Sequence, residues 1–180
     1  MKRYIKYFLM TALLFSFSAC KEEFLEFVPE DQVTVGNWYR NADEIRQSTA
    51  ALYGRAWWRF NDQFTWLVGD VLPGDLHHTW DAEGQFFFAS FNENNQYIGE
   101  GWQGLYDVIS YANLIMDDMP TVASGYGVSE EDINKGLGEA RFVRGVAYFF
   151  LAEYWGEAPI IEKAAEKIIA NELLLPKNTT

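Results

Sequence analysis

The run from Gly138 to Pro159 constrains this chain more than any other part, because it joins a long periodic helix to a marked stop. Ala140, Val143, Ala147, Phe150 and Tyr154 recur at steps of three and four, which lines small and aromatic side chains along one helix face. Gly156 supplies a residue free to leave the helix, and Pro159 forbids its resumption. Phe142, Val146 and Phe149 lie off that stripe and give the helix a second apolar face, which asks for partners on both sides. A chain organised around such a helix is mainly α.

Two further helices are legible. Asn41 is placed to cap the first, with Glu44 three residues on; Ile45, Thr49, Leu52, Ala56 and Phe60 then predict helix from Ala42 to Arg59. Trp102, Leu105, Ile109, Ala112, Met116 and Met119 predict the second, closed by Pro120, with Trp102 in the core. Ser129 with Asp132 opens the third, which runs through Ile133 and Leu137 into the stripe. Gly136, Gly138 and Gly145 each weaken that helix by ~1 kcal/mol relative to alanine, so they are expected to serve close helix packing.

Between the first two helices the expectation is one long irregular segment. Gly69 to Asp75 and Asn92 to Asn95 carry turn chemistry, and Phe86-Phe87-Phe88 reads as a strand-like or packed piece. Trp57 and Trp58 should divide between core and rim. Glu22 to Val35 reads as an extended arm, and Glu162 to Leu175 holds apolar residues without a clean face. Ala147, Leu151, Tyr154 and Pro159 follow the second-helix spacing of a tetratricopeptide hairpin, although the matching first-helix residues are not convincing.

The N-terminus addresses the chain to a membrane. Lys2, Arg3 and Lys6 precede an apolar run ending at Ser18 and Ala19, just before Cys20, the only cysteine. As a helix that run would rise only ~20 Å against ~30 Å of bilayer hydrocarbon, which argues for a targeting segment rather than a span. Residues 1–19 are therefore read as a lipoprotein signal and 20–40 as a lipidated tether and arm; 41–180 is the start of a helical binding domain. The lone thiol of Cys20 is then explained by lipidation, two acyl chains giving a stable anchor; a plain signal peptide with an incidental cysteine is the alternative.

Composition narrows the ligand. A net charge of -12, made more acidic still by removal of the leader, excludes nucleic acid, whose binding runs on counterion release by Lys and Arg. Aromatic residues make up 17% of the chain, more than a core of this size requires, and surplus rings mark ligand surfaces. No enzyme is expected. The cysteine is committed to the anchor, adjacent His77 and His78 cannot both face one metal from a helix, and no phosphate-cradling glycine loop occurs. Asp70, Asp75 and Asp81 could imitate a glycosidase pair, but turn chemistry accounts for them. No cofactor is called for.

Binding of a sugar asks for an exposed ring against the C–H face and for amides or carboxylates along the hydroxyl rim. The segment from His77 to Tyr97 offers both. Trp80 sits beside His78 and Asp81, and Asn94, Asn95 and Tyr97 follow. Trp80 reads equally as a ligand ring or a core ring.

The order Gly-Glu-Ala-Arg-Phe-x-Arg-Gly-x-x-Tyr-Phe-x-Leu from Gly138, followed by Trp155-Gly156-x-x-Pro159, closely resembles the signature helix of the RagB/SusD family of outer-membrane nutrient-binding lipoproteins. Phe24-Leu25 with Pro29, Gly69-Asp70-Val71 leading to Asp75, and Trp102, Tyr106, Ile109, Ala112 and Asn113 extend the resemblance over nearly all of residues 20–160. It implies tetratricopeptide-like hairpins supporting a ligand face, a lipid anchor in the outer membrane facing outward, and a SusC-like TonB-dependent transporter as partner. The implied ligand is an oligosaccharide or other nutrient oligomer, with the loop before the Trp102 helix helping to form the site. Family members run longer, so this sequence is expected to be an N-terminal portion. A tetratricopeptide-type lipoprotein that docks polypeptides and binds no carbohydrate is the second reading.

Overall fold

The computed structural model describes residues 34–163; Cys20, the arm before Thr34 and the stretch from Ala164 through Leu175 lie outside them. A 3-10 turn, Val35–Asn37, belongs to the N-terminal unit, and the described residues from Trp38 onward belong to a second compact unit. Four α-helices build the latter: α1 (Ala42–Leu52), α2 (Asp81–Phe87), α3 (Gln96–Gly125) and α4 (Glu130–Trp155). No strand occurs among the described residues, and the fold is mainly helical as expected.

Asn41 caps α1 by accepting the Glu44 N–H, while the Glu44 carboxylate reaches back to the Arg40 backbone N–H at 2.8 Å and to its guanidinium at 2.7 Å. That ion pair holds the Glu44 carboxyl below its usual range. The helix ends at Leu52, short of the expected Arg59, because Tyr53 and Gly54 turn the chain before a 3-10 turn at Arg55–Trp57.

The expected irregular segment is largely helical. Residues 58–71 are continuous helix containing two π stretches, Phe60–Phe64 and Leu67–Val71. The wider turns bring Phe60, Phe64, Leu67 and Val71 all into the core, and Leu72 N–H closes the second stretch on the Leu67 carbonyl. Gly69 to Val71 thus finish a helix, and the turn falls at Leu72 to Leu76, where Gly74 takes a φ of 92°. Phe86 and Phe87 lie on α2, not on a strand, and Phe86 is fully buried. Trp57 is half-buried against Phe60 and Phe150 while Trp58 is exposed, the division expected of that pair.

α3 and α4 form an antiparallel hairpin. Contacts of Met119 with Gly136, Asn113 with Arg144 and Tyr106 with Pro159 mark its length. Contrary to expectation, Pro120 does not close α3, which continues to Gly125. A proline inside a helix forfeits one backbone bond and costs about 3 kcal/mol. Burial of Met119 and Ala123 on either side holds the helix through it, and Val128 N–H then bonds the Ala123 carbonyl. Close packing explains Gly136, where a methyl would lie 2.6 Å from Ile45, but not Gly138 or Gly145, which face open space.

The core divides in two. The main cluster runs through α1, the first π stretch, α3 and α4, and a smaller one gathers Leu67, Val71, Phe86 and Tyr97. α2 rests on the smaller cluster.

Candidate ligand-binding face

α2, its two flanking loops and the first turn of α3 carry every described residue that the sequence nominated. Trp80 occupies the N-cap position of α2 and is 75% exposed, which removes the core alternative for this ring. Its indole lies 6.1 Å from the His78 ring, and His78 lies 5.6 Å edge-on from Trp66. A second ring series, His77 to Phe87 at 4.7 Å and Phe87 to Phe88 at 5.3 Å, borders the same loop, with Phe88 exposed. Asp81, exposed at the start of α2, has a φ of 49°, a left-handed conformation that a residue with a Cβ adopts at a cost.

The C-terminal side of α2 borders a polar hollow of about 300 Å³ lined by Ala82, Gln85, Asn92, Asn94, Asn95 and Gln96. Its amides differ in availability. Asn95 is buried: its Oδ1 accepts from Tyr97 N–H at 3.0 Å, capping α3, and its Nδ2 donates to the Ala82 carbonyl at 2.9 Å and Gln85 Oε1 at 3.0 Å. Tyr97 is buried too, its hydroxyl donating to Glu83; burial, then that carboxylate, push its pKa up. Asn95 and Tyr97 thus join α2 to α3 and set the shape of the hollow. Asn94 is exposed, and its side-chain amide makes no hydrogen bond among the described residues.

Sequence reasoning missed Gln85 and Trp66, and for one reason. Both belong to helical turns that were read as loop, so the spacing that sets Gln85 one turn beyond Asp81 had no frame. Among the described residues no three His, Cys, Asp or Glu side chains gather as a metal site. No described helix is long and apolar enough to cross a membrane.

The family model for SusD-like proteins, described as starch-binding and associating with the outer membrane, matches residues 74–174, more than half of the chain. The chain belongs to the SusD-like family. A SusD-like protein of Bacteroides ovatus is 31% identical over 161 residues, covering 89% of this chain and 29% of the relative. SusD-like protein P25 of Formosa agariphila is 27% identical over 160 residues, again with 29% of the relative covered. A solved crystal structure superposes with a TM-score of 0.67 at 26% identity, over 77% of this chain and 26% of that one. The chain therefore spans less than a third of the length of each of these proteins. The matched region includes α2, the amide hollow and all of α3 and α4.

Proposed function

We propose that this SusD-like chain binds an oligosaccharide at the α2 face and serves its uptake across the outer membrane. The observation that carries the reading is the exposure of Trp80 on the short helix that also lines the amide hollow. An indole offers a flat apolar face to the C–H side of a pyranose, while amides donate to and accept from its hydroxyls. His78 and Trp66 back the indole, and Asn94 with Gln85 faces the hydroxyl rim. The acidic balance of the chain favours a neutral glycan over an anionic one. Lipidation at Cys20 would hold the protein to the outer membrane facing outward, and a SusC-like TonB-dependent transporter would receive the ligand.

Affinity electrophoresis in gels containing soluble starch, with a panel of other neutral glycans beside it, tests the reading. Retardation is expected for the wild type, with Trp80→Ala weakening binding about tenfold, the ~1.4 kcal/mol scale of a lost stacking ring. Trp80→Ala retarded like the wild type would move the site elsewhere.

Polypeptide docking has one observation in its favour. An apolar groove of about 300 Å³ lies between α1 and α3, bordered by Tyr39, Leu52, Tyr111 and Leu114. Absence of retardation with every glycan would favour this second reading.

A further inference from the structure

The hollow beside α2 has a polarity, and backbone groups set it. Asn95 Oδ1 accepts the Tyr97 N–H at 3.0 Å, and Asn95 Nδ2 donates to the Ala82 carbonyl at 2.9 Å. With main-chain partners at both ends, this amide has one orientation. Its second Nδ2 proton goes to Gln85 at 3.0 Å, and only an oxygen can receive it. Gln85 is therefore held with Oε1 on Asn95 and its NH2 group left for the hollow. Asn92 reaches the same state by a separate route. Its Oδ1 accepts the Asn94 backbone N–H at 2.9 Å, which leaves the Asn92 NH2 as the open end.

Neither NH2 group donates to another described residue. Main-chain acceptors beside them are spent: the Ala82 carbonyl takes Asn95 Nδ2, and the Asn92 carbonyl takes the Asn95 N–H. A hollow of about 300 Å³ thus presents two oriented donors, with Asn94 and Gln96 as exposed amides at its margin.

We infer that this hollow is a subsite for the acetamido group of a neutral N-acetylated sugar, an inference that rests on the reading of the α2 face as the glycan site. An amide carbonyl oxygen has two lone pairs, no proton and more negative charge than a hydroxyl oxygen, so it takes one N–H from Gln85 and one from Asn92. The uncommitted Asn94 amide accepts the acetamido N–H, and the Ala82 methyl gives the acetyl methyl an apolar neighbour. A carboxylate or sulfate would meet the same donors, but charge disfavours it. Asp81, Glu83 and Glu93 stand on α2 and the loop after it, and no lysine or arginine occurs between Arg59 and Lys135.

Ligand-observed NMR titration of the full chain tests this, with methyl glycosides of N-acetylglucosamine and N-acetylgalactosamine set against those of glucose, galactose and glucuronic acid. In at least one pair the acetamido sugar is expected to bind about tenfold tighter than its hydroxy parent, ~1.4 kcal/mol. Gln85→Glu and Asn92→Asp are isosteric, keep the oxygen that accepts from Asn95 or from Asn94 N–H, and turn the open donor into an acceptor. Each should abolish the preference while melting near the wild type. Trp80→Ala should weaken both members of a pair alike and keep their ratio. Equal affinities within both pairs, with Trp80→Ala still weakening them, overturn the acetamido subsite and leave the glycan reading standing; the two amides are then spent on a carbonyl of the protein's own chain or on water. A glucuronide bound tighter than the acetamido sugars overturns the neutral choice, and a preference that survives both isosteric variants places the acetamido group elsewhere. No binding of any sugar overturns the inference together with the reading beneath it.

Discussion

Tyr106, Asn113, Arg144 and Tyr148 show what single residues contribute beyond helix formation. Past Gly156 the chain leaves the helix and its carbonyls have no helix to join. Tyr106 donates to the Pro159 carbonyl at 2.8 Å, Asn113 to that of Ile161 at 2.7 Å, and Arg144 holds the Asn113 amide at 2.8 Å. Tyr148 accepts the Ile161 N–H at 2.6 Å. Burial pushes the Tyr106 hydroxyl well above the usual tyrosine range, and Tyr148 is raised by the same cause. A folded pKa above the unfolded value near about 10 means stability that is intact below that pH and lost as pH rises past it. Melting temperature is thus expected to fall from about pH 10 upward in the wild type and less steeply in Tyr106→Phe. The variant should lose ~1 kcal/mol at neutral pH with its hydrogen bond. Equal alkaline slopes would place the titration elsewhere. All four stand among the residues that carry the family resemblance, but their pairing was not legible, because hydrogen bonds such as those of Tyr106 and Asn113, across more than forty positions, leave no local pattern.

At the scale of the element, α3 owes its place to glycines that admit a neighbour. A methyl at Gly104 would lie 2.5 Å from the Phe60 backbone nitrogen, and one at Gly101 would lie 2.6 Å from the Phe64 ring. The first π stretch therefore approaches α3 nearly backbone to backbone. Gly99, on the same helix, meets nothing within 4 Å. In urea unfolding, Gly104→Ala is expected to cost ~1–3 kcal/mol through overpacking, while Gly99→Ala gains up to ~1 kcal/mol of helix propensity. If both changes stabilise, the close approach is absent. α3 and α4 were legible because long stripes at helical spacing leave little alternative, and Ser129 does cap α4 as its position promised. The helical stretch at 58–71 was not. Its π turns shift the apolar residues out of the regular period, and Gly69-Asp70 imitates a turn.

In the whole molecule the two core clusters are unequal, and the candidate ligand face rests on the smaller. A cluster of four buried side chains holds α2, against a main cluster that spans α1, α3 and α4. Local opening should follow that difference. Amides of α2 are expected to exchange with deuterium faster than those around Ala140 to Leu151, with a saturating glycan slowing the α2 amides selectively. Uniform exchange across both clusters would mean a single cooperative unit. The sequence by itself determined the helical class, the helices α3 and α4 with the Ser129 cap and Gly156 stop of the latter, the family and the segment that carries Trp80, since each follows from periodicity, turn chemistry or a contiguous motif. Only the tertiary structure decided that α3 passes through Pro120, that Asn95 and Tyr97 join helices while Asn94 stays open, and that Trp80 faces solvent. Those outcomes depend on burial and on partners distant in the chain, and burial is a property of the packed whole that no local pattern encodes.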